Sequence, residues 1–216
     1  SGTGHGEEKE FSSDQMIMHH ISDAHEWHFV SFGHTHIVLP LPVILIGDNG
    51  LEIFSSSKFH NDEHKYNNYI LFHEKIYKAN AAGGLDLDEH GHPTNAKPLD
   101  ISITKNVASM LVAVTIMCLI FISVAKAYRK REGQAPSGLQ NAMEPLIMFV
   151  RDEIARPNIG EKAYKYTPYL LTIFFFIWIN NLLGLLPGAA NVTGNIAVTA
   201  LLSVLTLLIT NFSGNK

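Results

Sequence analysis

A chain of 216 residues, 46% apolar and 17% charged with a net charge of −4, has the averages of an ordinary one- or two-domain protein. Those averages hide a division: residues 1–100 carry 15 acids, 6 Lys/Arg and all 12 histidines, whereas residues 101–216 carry 10 Lys/Arg, 5 acids and no histidine. Two regions with different solvents are the simplest account, and Cys118, the only cysteine, excludes an intrachain disulfide and reads as a small buried hydrophobe.

The chain starts at Ser1 with neither a Met nor a signal-peptide pattern, which reads as a removed leader or an internal fragment. Residues 1–15, "SGTGHGEEKEFSSDQ", are small and acidic and are expected to be disordered. From residue 16 to 78 the pattern is that of a small β-rich aqueous module. Val30, Phe32, Ile37 and Val38 belong to an extended stretch, and Pro40 and Pro42 exclude a helix and favour an edge strand. "DNG" at Asp48–Gly50, between apolar residues, signals a hairpin. Tyr66–Tyr77 fits a strand or a short helix. Residues 79–102, rich in Gly, Pro and Asp, read as a linker.

Residues 103–216 read as a membrane region. Val107–Ala125 is uncharged and mostly apolar, and as a helix it spans about 28 Å, close to a bilayer core. Tyr166–Asn215 holds no Asp, Glu, Lys, Arg or His and is too long for one span. Pro187 and Gly188 split it into spans at about 167–186 and 191–212, after which the chain's end at Lys216 returns to the cytoplasm. Eight Lys/Arg lie between the first and second spans and none between the second and third. Cytoplasmic loops are enriched in Lys/Arg, so 126–166 is expected to be cytoplasmic and the histidine-rich module to face the other side. Within that loop, residues 137–156 make an amphipathic helix: Ser137 and Gln140 form a capping box and Pro157 a stop. Leu139, Met143, Leu146, Ile147, Phe149, Val150 and Ile154 share one side; Gln140, Asn141, Glu144, Arg151, Asp152 and Arg156 share the other. Such a helix lies along the cytoplasmic membrane surface, kinked at Pro145. The expected fold is an all-α membrane protein of three transmembrane helices and one interfacial amphipathic helix, preceded by the small β-rich module.

The third span carries a polar stripe. Asn195, Thr199, Ser203, Thr206 and Thr210 fall within about 80° at 100° per residue, and Asn211 falls outside. Polar side chains at membrane depth face protein or a water-filled cavity. One reading is interhelical glue, worth roughly 0.6 kcal/mol per bond. The other is the wall of an aqueous path for a small ion. Ser and Thr can bond their own backbone four residues back. Adjacent Asn180 and Asn181 cannot both face one neighbour, which favours the hydrated path.

Three segments carry a resemblance. "YLLTIFFFIWINNLLGLLPG" resembles the membrane signature of subunit a of F-type ATP synthases, "GLQNAMEPLIMFVRDEI" is similar to that family's interfacial helix, and "TGNIAVTALL" to the stretch opening its next span. The resemblance covers roughly residues 103–212, in order; the N-terminal module matches no family core and looks like the extension of some bacterial members. It implies a stator subunit of a bacterial inner-membrane rotary ATP synthase. Such a subunit holds ion half-channels against a c-ring, beside b subunits in the bilayer. The resemblance matches Asn181 and Asn195 to family asparagines; with Asn180 and the stripe residues Thr199, Ser203 and Thr206 they make up the expected proton path. The acid expected two residues before Asn195 is Thr193 here, and no Arg follows Arg156, although the family's essential Arg lies on a helix further downstream. That Arg is therefore expected beyond Lys216, with the chain truncated before its helix and, alone, unable to move ions.

Other chemistry is thin. His34 and His36 point the same way on a strand and are the best candidates for zinc, but solvated histidines are the simpler reading. There is no Gly-rich phosphate cradle, nucleophile–base pair or paired-acid site, so no nucleotide, nucleic acid, cofactor or catalytic site is expected on this chain. The rival reading is a membrane-anchored, histidine-rich periplasmic metal-binding or sensory protein, for which the polar stripe would have no use.

Overall fold

A computed structural model describes residues 23–32, 35–48, 50–61, 63–186, 189–190 and 192–214, with backbone only at 28–32 and 35–37. Residues 1–15, expected to be disordered, lie outside these, as do Asn49, Pro187, Gly188 and Asn191. Lys216, expected to return to the cytoplasm and to precede the essential Arg, also lies outside the described residues. The described residues divide into two compact units, 23–27 with 38–105 and 28–37 with 106–214.

β1 (Glu26–Phe32) pairs with β2 (Thr35–Pro40), and residues 28–37 of this pair fall in the second unit. The first unit is otherwise built on short antiparallel strands. β3 (Pro42–Gly47) and β4 (Gly50–Ser55) form the hairpin that Asp48–Gly50 signals, closed by Gly47 opposite Gly50, whose φ is +95°. β3 is not an edge strand, as its proline suggests. It lies between β4 and β8 (Leu99–Asp100). Pro42 is tolerated because it is the first residue of the strand, where no ladder donor is needed, and its carbonyl accepts the Ile103 N–H at 3.1 Å.

Tyr66–Tyr77 is neither one strand nor a helix. It folds into the end of β5 (Lys65–Tyr66), β6 (Tyr69–Phe72) and β7 (Lys75–Lys78). The β6–β7 loop is His73–Glu74, with φ of 48° and 63°. Two positive values in a row make a primed hairpin turn out of residues that disfavour it. Val43, Leu45, Phe59, Tyr69 and Ile76 meet in a buried core, flanked by Phe54, Tyr66 and Leu71. A fully buried side chain of this kind contributes about 1.5–3 kcal/mol. The Tyr69 hydroxyl donates to Glu52 Oε1 at 3.0 Å; burial, then the Glu52 carboxylate, push its pKa up to about 12.

Residues 79–102 fold back on this unit rather than running free. The Lys78 N–H donates to Ala96 O at 2.8 Å and Asn95 Nδ2 to Lys78 O at 2.9 Å. The turn chemistry belongs to Asn80, whose Oδ1 accepts the N–H groups of Ala82 and Gly84, and to Asp88, whose Oδ1 accepts those of His90 and His92. At β8, buried His25 meets Asp100 Oδ2 through Nε2 at 2.8 Å. Partial burial alone would raise the Asp100 pKa, but hydrogen bonds from His25 and Ser102 outweigh it and hold the carboxyl below its ordinary value.

The second unit is otherwise helical. α1 (Lys105–Lys130) carries the first apolar run and continues into its basic end. Cys118 on it is exposed, not buried. α2 (Leu139–Met148) follows, with Gly138 at its N-cap at φ 59° and no side-chain cap, so the Ser137 capping box does not form. A π-helical turn (Phe149–Ala155) leads into α3 (Arg156–Ile159), with Pro157 in its first turn instead of ending the helix. Gly160, at φ 71°, makes the break. α4 (Ala163–Gly184) and α5 (Ile196–Gly214) complete the unit. Among the described residues, three helical stretches are long and apolar enough to cross a membrane: Lys105–Lys130, Leu139–Gly184 and Ile196–Ser213.

α2 does more than lie on a surface. Met143, Leu146 and Ile147 pack with Val124 and Phe121 of α1 and with Leu171, Phe174, Phe175 and Trp178 of α4. Leu139, Phe149 and Ile154 remain exposed. Gln140, expected on the watery side, is buried. The reason is angular: Gln140 sits only about 20° from Ile147 on the helix surface.

Candidate functional site

α4 and α5 run antiparallel, joined by two side-chain bonds. Thr193 Oγ1, in the connecting turn, donates to Asn181 Oδ1 at 2.8 Å, and the Tyr169 hydroxyl lies 3.4 Å from Thr206 Oγ1. Val198, Leu202, Ile209 and Ser213 are the half-buried residues of α5, and they recur on one line of the helix. No described residue of α5 is buried. The polar stripe adjoins this line, with Thr206 at the border, and opens away from the chain.

The stripe residues dispose of their donors locally. Ser203 Oγ donates to Thr199 O at 2.8 Å, Thr206 Oγ1 to Leu202 O at 2.9 Å, and Thr199 Oγ1 to Asn195 O at 3.2 Å. Each hydroxyl keeps lone pairs that point outward, so the face can accept hydrogen bonds from water without leaving a donor bare in lipid.

Asn195 is placed differently from its expected position inside the span. It precedes α5, and its Oδ1 accepts the Ala197 N–H at 2.9 Å. That is the work of an N-cap, which satisfies one of the free N–H groups of a helix start.

Asn180 and Asn181 part company. Asn181 is exposed and bonded to Thr193, whereas Asn180 is buried beside Ile179, with Nδ2 donating to Phe176 O at 2.8 Å. Asn180 Oδ1 is buried and has no hydrogen-bond partner among the described residues. The structure thus brings Thr199, Ser203 and Thr206 onto one face, sets Asn195 at its head, ties Asn181 to the adjoining turn and turns Asn180 inward. Gln140 and Glu144 were not among the expected path residues, yet Gln140 Oε1 and Glu144 Oε2 are also buried without a hydrogen-bond partner among the described residues. The sequence signal for them was the resemblance of "GLQNAMEPLIMFVRDEI", which contains both, to the interfacial helix.

The zinc candidates gain no geometry. His34 lies outside the described residues, as does the side chain of His36. Among the described residues no three His, Cys, Asp or Glu side chains converge as a metal site.

Comparison with known proteins divides the chain at the same place as its composition. Residues 16–101, for which no family core was expected, match a model described as a domain of unknown function, DUF8433. Residues 107–216 match the model described as ATP synthase A chain, a match that runs through Lys216. "ATP synthase subunit a" of Chlorobium phaeobacteroides (strain BS1) is 36% identical over 214 residues, 99% of this chain and 46% of that protein. The protein of that name from Chloroherpeton thalassium is 47% identical over 115 residues, 53% of this chain and 34% of its own length. That of Anaeromyxobacter sp. (strain Fw109-5) is 43% identical over 137 residues, 59% of this chain and 33% of its own. The chain spans half or less of the length of these curated relatives. No solved structure matches it. With half its length, residues 107–216, matching that model, the chain belongs to the ATP synthase A chain family.

Proposed function

We propose that this chain serves as the stator subunit a of a rotary ATP synthase, with α5 lining an ion half-channel. The surface opposite the stripe would be a c-ring, and b subunits would pack elsewhere on the helices. The location is a bacterial inner membrane, with the β-rich module outside the cytoplasm and residues 126–166 inside. Two things support this reading: the subunit a relatives, and above all the α5 face, polar along its length and open to the outside of the chain. A lipid-facing helix has no use for such a face, and a helix using it as glue within this chain would have covered it.

The face carries no charge. What Thr199, Ser203 and Thr206 supply is an ordered row of acceptors that holds water along a proton path. Asn195 adds two donors at its mouth. The path moves ions only together with ionisable groups on other helices.

Leu at Asn195 tests two roles at once, since it also removes the cap, worth about 1 kcal/mol. Asn195→Ser separates them, because Ser keeps a capping oxygen but has no amide donors. In the assembled enzyme, Asn195→Ser, Thr199→Leu and Ser203→Leu should lower ATP-driven proton pumping with subunit abundance unchanged. Asn211→Leu, off the stripe, should be neutral. Loss of abundance with normal pumping by the remaining subunit would show the stripe to be glue instead.

A further inference from the structure

The outer face of the β4–β3–β8 sheet is apolar where an aqueous module should be polar. The register sets Leu51, Ile46 and Leu99 side by side in one row. Ile53 and Ile44 begin the next row, and Ile101 completes it, its N–H bonded to Ile44 O at 3.0 Å. Five of the six are between 42% and 64% exposed, and Ile44 is half-buried. The inner face of the same strands already supplies the core through Val43 and Leu45. An antiparallel sheet with one solvated face has no need of a second apolar side, and a contiguous patch of this kind marks a surface that something covers.

Three observations indicate what covers it. All six side chains are aliphatic, while protein interfaces are anchored by Tyr, Trp, Phe, Met and Arg. The patch also runs on toward the membrane. Leu99, Ile101 and Ile103 alternate directly into Lys105, the first residue of α1, and Ile101 is at most about 14 Å of extended chain from it. Finally, residues 1–100 carry 15 acids against 6 Lys/Arg, so attraction to acidic headgroups cannot drive contact and acyl chains remain as the attractive phase.

We propose that this face docks on the lipid bilayer surface, seating its six aliphatic side chains at the boundary of headgroups and acyl chains. The inference rests on α1 crossing the membrane and not on the rotary-enzyme reading.

The full chain is reconstituted into phosphatidylcholine vesicles in a Cys118→Ser background, and only carbonate-resistant protein is used. Single cysteines at Leu51 or Ile101, and at exposed Lys75 on β7 as control, carry an environment-sensitive fluorophore. Nitroxides on the acyl chains should quench the labels at 51 and 101 about twofold or more above the label at 75, and shallow nitroxides more than deep ones. Adding salt or phosphatidylglycerol should not strengthen the contact. Quenching of 51 and 101 by aqueous iodide to the level of 75 would overturn the proposal, because the face would then be in water. Protection from both quenchers would overturn it too, because a second copy of the chain would then be the cover.

Discussion

Asparagine is the residue that most misleads at membrane depth. The sequence invites the argument that an amide, unlike a hydroxyl, cannot satisfy itself on its own helix. Asn180, Asn211 and Asn158 each do so, donating Nδ2 to the carbonyl four residues back at 2.7–2.8 Å. The donor half of the amide therefore says nothing about function; what distinguishes these residues is where Oδ1 points. Periodicity locates the stripe but not that direction, so Thr199, Ser203 and Thr206 were legible and the inward turn of Asn180 was not. At Asp100 the same scale yields a pH dependence. Its folded pKa lies below the ordinary 3.8, so its contribution to stability is complete above that value and is lost as pH falls through the lower folded value. Asp100→Asn should remove this contribution and make the acid limb of unfolding less steep. Trp27 fluorescence in a Trp178→Phe background follows it; superimposable acid curves for variant and parent would show the His25–Asp100 contact to be without weight.

Elements were read well where one physical demand dominates and poorly where two compete. Hydropathy found all three spans, because lipid excludes charge over a fixed thickness. Their ends moved, with α1 running to Lys130 and α5 beginning at Ile196, because backbone bonding continues past the apolar limit and a cap can delay a start. Around Ser137 the capping signal lost to Gly138, and Pro157 lost its force as a stop by falling in a first turn, where a missing N–H costs nothing. The β6–β7 turn went unread for a simpler reason. His73 and Glu74 adopt left-handed backbone that Asn and Gly would adopt more readily, so composition gave no signal. The stacked rings of Phe72 and His73, 4.2 Å between centroids, help hold it. Replacing the pair by His73→Asn and Glu74→Gly should stabilise the module by about 1 kcal/mol. A higher urea midpoint at unchanged slope would register it, and a lower midpoint would mean that the stacking outweighs the backbone.

At the scale of the whole molecule, the charge division proved the most informative feature of the sequence. It falls at the same point as the division between the two family models, 16–101 and 107–216. What it could not reveal is that residues 79–102 belong to the fold of the first unit, since turn-rich composition is shared by linkers and by loops held by side chains. Opposite sides of the membrane are the expected homes of Ser57 and Ser137. Single cysteines there, in a Cys118→Ser background, should react with an impermeant reagent only from outside and only from inside the cell, respectively. Labelling of both from one side would reverse the topology. The back-bonded hydroxyls of α5 bear on biogenesis as well. A helix whose Thr199, Ser203 and Thr206 protons are already engaged on its own backbone carries fewer bare donors as it leaves the translocon, so it can partition into lipid more readily by itself. Its insertion then depends less on a neighbouring helix being present to satisfy those groups.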